Sequence, residues 1–280
     1  MPLPGSGAIS LNQIHVEAGG SSGSQASLND SDIRDLIGKS VSSQNSFNEY
    51  YGISASQPTY TYLGRNTTTS NGFPSGYFTL SSGTYLYVYC MQNAGIDQAN
   101  NNITLGGTAM TMAVKQTGVH PVASDISNGY VWGGNPGSVA IWYLVSSLSG
   151  SQYLTGVGGT GRSSGTLYEV SNYNSSTPYT TDTAQNTNAD KTASITVSGQ
   201  YNGLTFGVGM SEDAIAPNYI TVSNADVLHQ VNLESATAHC SWVDQATPSG
   251  NRTYTYTQAS PGNNGGSLGT PINLCTASWK

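Results

Sequence analysis

Two spacings of apolar residues divide the chain. As far as Gly52 they come in short groups with helical spacing: Leu11, Ile14 and Val16, then Leu28, Ile33, Leu36 and Ile37, then Phe47, Tyr50 and Tyr51. Beyond Gly52 the period drops to two, the signature of half-buried strands. Tyr60-Thr61-Tyr62-Leu63, Tyr85-Leu86-Tyr87-Val88-Tyr89-Cys90, Met110-Thr111-Met112-Ala113-Val114 and Ile195-Thr196-Val197 alternate in this way. Further strands are expected at Tyr219-Ile220-Thr221-Val222, from Ala236 to Val243, at Thr253-Tyr254-Thr255-Tyr256 and at Ile272-Asn273-Leu274-Cys275. Ala140-Ile141-Trp142-Tyr143-Leu144-Val145 is apolar throughout, as in a central strand covered on both faces. Leu204, Phe206, Val208 and Met210 share one face, with Gly203, Gly207 and Gly209 opposite, where another backbone or sheet can approach closely. Turn-rich stretches (71–76, 133–137, 260–266) separate the runs, and no long helical pattern intervenes. The fold predicted is therefore all-β: an antiparallel β-sandwich, jelly-roll or immunoglobulin-like, over residues 53–280, with a short helical or extended arm over residues 1–52.

The arm holds three imperfect copies of one phrase: Ala8-Ile9-Ser10-Leu11-Asn12-Gln13-Ile14, then Gln25-Ala26-Ser27-Leu28-Asn29-Asp30-Ser31-Asp32-Ile33, then a worn copy, Ser46-Phe47-Asn48-Glu49-Tyr50-Tyr51-Gly52. Each sets a serine ahead of an amphipathic group and ends near a glycine (Gly19, Gly38, Gly52), which predicts N-cap, short helix and C-cap. Helices of two or three turns are marginal alone. The apolar positions are too few for a core of their own, so Ile9, Leu11, Ile14, Leu28, Ile33, Leu36, Ile37, Phe47, Tyr50 and Tyr51 are expected to dock against another body.

The pattern G-x-I-S-L-x-x-I, then A-S-L-N-D-S-x-I-R-x-L-x-G and a closing Y-Y-G, covering roughly residues 7–52, resembles a repeat segment of structural proteins of tailed bacteriophages, notably phages of aquatic bacteria. The third copy departs from it, with Ser46-Phe47-Asn48 where Ser-Leu-Asn is expected. In such proteins the segment sits at one end and precedes β-rich virion domains. The resemblance implies a virion component assembled in the bacterial host cytoplasm, with other phage virion proteins and copies of itself, in a trimer for example, as partners. The place implied is tail, baseplate or fibre, with capsid decoration second. A looser likeness to phage β-sandwich domains covers Asn102 to Thr111 and the later Ala140-Ile141-Trp142-Tyr143.

Composition narrows the partners. Only 8% of the 280 residues are charged, against about a quarter in ordinary soluble domains, and the formal net charge is -7 with eight Lys and Arg. No basic patch is expected, which argues against nucleic acid and against an anionic membrane. No apolar run approaches spanning length, and the first residues lack a basic segment followed by a continuous apolar one. Cys90, Cys240 and Cys275 have no metal-ligand spacing and lie in strand-like runs, so buried free thiols are predicted.

Several fragments imitate catalytic motifs. Gly156-Val157-Gly158-Gly159-Thr160-Gly161 fits G-x-G-x-x-G, yet the helix that would hold a pyrophosphate is replaced by strand-like Thr166-Leu167-Tyr168-Glu169-Val170. Gly161-Arg162-Ser163-Ser164-Gly165 fits G-x-S-x-G without the helix of a nucleophile elbow, with His229 or His239 as a nominal base. His15 and His120 have no partner at ligand spacing. Asp97 before Asn100, Asn101 and Asn102, and Asp182 near Asp190, lack a calcium-loop pattern. No acid pair stands out among Asp97, Asp125, Glu169, Asp182, Asp213 and Glu234. No enzyme, metal or cofactor is expected.

Tyrosine is the remaining signal. The chain has 18 Tyr against 4 Phe, and Tyr mixed with Ser, Gly and Asn suits recognition surfaces. Tyr85, Tyr87 and Tyr89 are candidates for contact with a host-surface glycan or another subunit, against the alternative that they pack between sheets. Two function classes follow: a virion structural protein, and a carbohydrate-binding adhesin or depolymerase.

Overall fold

The computed structural model describes residues 3–37, 39, 43–52, 58–68, 72–93, 102–117, 137–156, 163–186, 192–199, 203–212, 219–233, 237–246, 250–259 and 272–279. Among them the arm forms α1 (Leu11–Glu17), α2 (Ser31–Asp35) and a 3-10 turn (Phe47–Tyr50). Seventeen strands follow: β1 (Thr59–Thr68), β2 (Gly76–Leu80), β3 (Tyr85–Asn93), β4 (Thr104–Leu105), β5 (Thr108–Ala109), β6 (Thr111–Thr117), β7 (Ser138–Ser146), β8 (Gly150–Thr155), β9 (Ser163–Ser171), β10 (Thr180–Asn186), β11 (Thr192–Gly199), β12 (Gly203–Glu212), β13 (Tyr219–Val222), β14 (Val227–Leu233), β15 (Thr237–Ala246), β16 (Gly250–Ala259) and β17 (Ile272–Trp279). The fold is all-β, with every strand pair antiparallel.

The strands make four sheets rather than the two that alternation alone suggests: sheet I, β2-β8-β4-β5; sheet II, β1-β9-β3-β7-β6; sheet III, β10-β17-β12-β15-β14; sheet IV, β11-β16-β13. Three apolar clusters stack them in the order I, II, III, IV. Phe78, Leu80, Leu105 and Leu154 of sheet I meet Tyr87, Tyr89, Met91 and Trp142 of sheet II. On the other side of the same strands, Leu86, Val88, Cys90, Ile141 and Tyr168 meet Leu204, Phe206, Val208 and Cys275 of sheet III. Cys240, Trp242, Ile272 and Leu274 then meet Ile195, Val197, Tyr254 and Tyr256 of sheet IV. Alternation puts odd and even residues of β3 in different clusters, so Tyr85–Asn93, whose alternation predicts a half-buried strand, is instead covered on both faces.

The wiring of the first half recurs in the second. In each half the first strand pairs with the last, the last with the third, and the third with the strand two places before the last: β1-β9-β3-β7-β6 against β10-β17-β12-β15-β14. The facing sheets match likewise, β2-β8-β4 against β11-β16-β13, with β5 an addition of the first half. The region after residue 57 is thus two sandwiches of one strand order, jelly-roll-like in that most successive strands cross between facing sheets, joined back to back through sheets II and III.

The glycine face of β12 does not receive a backbone. A Cβ on Gly207 would lie 1.9 Å from the Trp242 ring, and one on Gly209 would lie 2.9 Å from the Leu274 side chain and 3.0 Å from the ring of Tyr256. The missing side chains make room for neighbouring side chains, the Trp242 and Tyr256 rings and Leu274, not for a closer backbone. Ala140 to Val145 behaves as expected: within β7, Ala140 and Trp142 face sheet I while Val139 and Ile141 face sheet III.

The arm corrects a stronger expectation. Its apolar residues do make a core of their own. Each repeat contributes one fully buried side chain, Ile14, Ile33 and Tyr50, and Leu3 and Ala18 complete a cluster that Ile9, Leu11, Ala26, Leu28, Leu36 and Ile37 flank. Pooling three repeats supplies what no single one could. The caps hold as predicted at both ends: Ser10 and Gln13 form a reciprocal capping box on α1, and Ser46 and Glu49 another on the 3-10 turn. The middle copy shifts, because α2 starts after Asp30, while Ser27 and Asp30 close a turn ahead of it. Gly19 and Gly52 have the positive φ of helix ends, 103° and 70°; Gly38 lies outside the described residues. The Gly52 amide donates to the Pro4 carbonyl (3.0 Å) and the Tyr51 hydroxyl to Gly7 (2.5 Å), so the arm closes end to end.

Candidate functional site

Three places merit a chemical reading: the seam between sheets II and III, the arm, and the outer faces of sheets I and IV. At the seam, β9, β3 and β15 place Ser164, Gln92 and His239 in contact. The Gln92 amide donates to the Cys240 carbonyl (2.8 Å), which leaves its Oε1 to accept from Ser164 Oγ (2.6 Å); the Ser164 oxygen then lies 2.9 Å from His239 Nδ1. A serine has one proton, so with that proton on Gln92 the imidazole carries its own on Nδ1. His239 Nε2 has no partner, and burial pulls the imidazole pKa down to about 3, with the nearby Arg65 charge adding to the effect.

This pairing answers the G-x-S-x-G imitation. Ser163 and Ser164 sit on a strand, not on a strand-to-helix elbow, and Ser164 and His239 are 1% and 0% exposed between two sheets. No carboxylate orients the imidazole, as Nε2 is bare. The arrangement is a buried polar stitch between the sandwiches, accompanied by Tyr168 to Ser241 (2.9 Å) and, at the rim, by Arg65 donating to the Gln230 carbonyl (2.5 Å). Beside that arginine Tyr62 stacks on His229, with centroids 4.1 Å apart. Burial, then Arg65, lowers the His229 pKa.

Residues 157–162, His120, Asp97, Asn100, Asn101, Asp125, Asp190, Asp213 and Glu234 lie outside the described residues. Asp182 lies on β10, where its carboxylate accepts from the Thr183 amide. Glu169 is buried and accepts from the Ser81 amide at 3.0 Å. Cys90, Cys240 and Cys275 are free and buried, with thiol pKa values pushed upward by that burial. Among the described residues no group of three or more His, Cys, Asp or Glu could hold a metal ion, and no helix is long and apolar enough to cross a membrane.

In the arm, Ile14, Ile33 and Tyr50 are fully enclosed, whereas Phe47 and Val16 remain 37% and 39% exposed. Leu36 and Ile37 line the arm's own cluster. The surrounding loops are equally tied: His15 Nε2 lies 2.7 Å from Ser24 Oγ, and Arg34 donates to Asn29 and to the Ser43 carbonyl. The cluster draws no described residue from beyond Tyr50.

Of the three candidate tyrosines, Tyr87 and Tyr89 are buried between sheets I and II and Tyr85 is half-buried at their margin. Strand alternation sends them inward because the outer side of sheet II is also covered. The exposed aromatic pair is instead Tyr77 on β2 and Tyr153 on β8, directly paired across the strands, 72% and 42% exposed, with ring centroids 4.8 Å apart and planes tilted by 51°. Each follows strand alternation, a signal present in the sequence but masked by the denser run at 85–89. On the corresponding face of sheet IV, β11 and β16 present a hydroxyl ladder, Ser194 to Thr255 (3.0 Å) and Thr196 to Thr253 (2.8 Å).

The fold and these sites define a tandem β-sandwich protein with a separately packed N-terminal arm. No family model, curated protein or solved structure matches the chain.

Proposed function

We propose that the chain is a structural protein of a tailed-bacteriophage virion, in which the arm attaches the tandem sandwich to neighbouring virion subunits in a tail, baseplate or fibre. The observation that carries the reading is the arm's closure on its own core while Phe47 and Val16 stay exposed. A unit that folds by itself can be presented on a neighbour without unfolding the body it tethers. The repeat pattern of residues 7–52, which resembles segments of phage structural proteins, agrees with this use. The sealed Ser164 and His239 pair supports a non-enzymatic role. Capsid decoration is the second location consistent with the same attachment.

Docking now belongs to the exposed rim rather than to Ile33 or Leu36, which serve the arm's interior. Deleting residues 1–52 is expected to leave a soluble β protein with an unchanged melting transition that is missing from purified virions. Phe47→Asp should fold normally and lose most of its occupancy, measured by mass spectrometry of virions. Normal incorporation of both variants, or absence of the wild-type chain from virions, overturns the reading. Ile33→Ala should instead melt the arm, at about 2–5 kcal/mol for a buried aliphatic truncation, and leave the sandwich transition in place.

A further inference from the structure

The outer face of sheet I has an unusual combination of features. Its four strands, Gly76–Leu80, Thr104–Leu105, Thr108–Ala109 and Gly150–Thr155, contain no Asp, Glu, Lys, Arg or His. Phe78, Leu80, Leu105 and Leu154 point inward, so Tyr77, Thr79, Ser151, Tyr153, Thr155 and Thr104 face out. The two rings form an open V, and beside them the β4–β5 turn has Gly107, around which a Cβ would meet nothing within 4 Å. Large exposed rings surrounded by short hydroxyl side chains offer stacking area and adaptable donors and acceptors with little side-chain entropy to lose.

Size and charge choose the occupant. The longest strand, β8, has six residues, about 20 Å, and four strands span about 15 Å, a footprint of about 300 Å². A stable protein partner covers about 800 Å² on each side, so the face is too small for a second copy. An ionic polymer would find no countercharge on these strands. A pyranose chain fits both limits: each sugar has an apolar C–H face for a ring and hydroxyls for the Thr and Ser groups beside it.

We propose that the outer face of sheet I binds an uncharged saccharide chain, with Tyr77 and Tyr153 stacking on sugar rings and Thr79, Ser151, Thr104 and Thr155 bonding their hydroxyls. The binding is independent of the virion role: it stands or falls with the purified chain. Affinity gel electrophoresis through dextran, mannan and laminarin, with alginate as the charged comparison, tests it. The full chain should be retarded by at least one of the three neutral polymers, and added salt should not release it. Tyr77→Ala with Tyr153→Ala should weaken retardation at least tenfold, while Thr196→Ala with Thr253→Ala on sheet IV should leave it intact. Should the double variant melt early, Tyr77→Ala alone decides, since that ring is 72% exposed; Tyr153→Phe should retain binding. Retardation by none of the neutral polymers, by alginate alone, or undiminished in Tyr77→Ala and the double variant overturns the proposal.

Discussion

The two sandwiches share a strand order and differ in what they put on it. In the first, Gly165 on β9 leaves room for Tyr89, whose hydroxyl would lie 1.8 Å from an added Cβ; in the second, Gly207 on β12 leaves room for Trp242 in the same manner. In both, the ring's polar atom, Tyr89 Oη or Trp242 Nε1, is buried without a partner, so each ring is kept for its volume. Their outer faces differ too: β2 and β8 of sheet I pair two exposed rings, while β11 and β16 of sheet IV pair hydroxyls. The two pairs occupy different strands of the shared order, β9 with β3 in the first half and β12 with β15 in the second, so each half makes room for a large buried ring at a glycine in its own way.

The largest effect should come from the ring itself. Trp242→Ala is expected to cost about 3–5 kcal/mol in denaturant unfolding, and Gly207→Ala about 1–3 kcal/mol or more through overpacking. Combined, the two should cost well under their sum, because the alanine Cβ then occupies space the ring has left; strict additivity would show that the glycine serves something other than the indole. The same cycle with Gly165→Ala and Tyr89→Ala tests whether the first half obeys the same rule.

Acid should next distinguish the seam from either sandwich interior. His239 is held neutral with a pKa near 3, against about 6.5 in an unfolded chain. The unfolded state therefore takes up a proton that the folded state refuses, and stability falls as pH drops from about 6.5 towards 3. By pH 4.5 the loss should be on the order of 2–3 kcal/mol, seen as a fall in urea midpoint; His239→Gln should flatten that slope whatever its stability at pH 7. An unchanged slope in the variant would move the acid-sensitive group elsewhere. The smallest change is expected on the outer face of sheet IV, where Thr196→Val should shift stability by about 0.5 kcal/mol or less, whereas comparable replacements at the paired Ser164 should cost more because Gln92 and His239 would lose a buried partner.

Much of the secondary structure was legible in the sequence. Alternation locates β1, β3, β11, β13 and β16, and serine caps locate α1 and the 3-10 turn but not α2. The four-layer stack was not, for a specific reason. β9 and β17 are buried on both faces, yet their sequences, Ser-Ser-Gly-Thr-Leu-Tyr-Glu-Val-Ser and Ile-Asn-Leu-Cys-Thr-Ala-Ser-Trp, lack the continuous apolar run by which a doubly covered strand is recognised. Ser164, Thr166, Asn273 and Thr276 are enclosed there as polar residues. The arm's core is not legible repeat by repeat, because Ile14, Ile33 and Tyr50 meet only in three dimensions. Tyr77 and Tyr153 are 76 positions apart in the chain, so their pairing depends on the register of β2 with β8.

Each half starts and finishes side by side: Thr59 lies opposite Ser171, and Thr180 opposite Ser278. Each is therefore a closed circuit whose two ends share an edge. Such a unit can be rewired without moving an atom of its core: bridging Ser171 back to Thr59 and opening the chain at the β4–β5 turn would give a permuted first half with the same sheets. It also explains how a second circuit can follow the first after only the stretch from Asn172 to Tyr179, and why a third could be spliced in at that point as readily as the second.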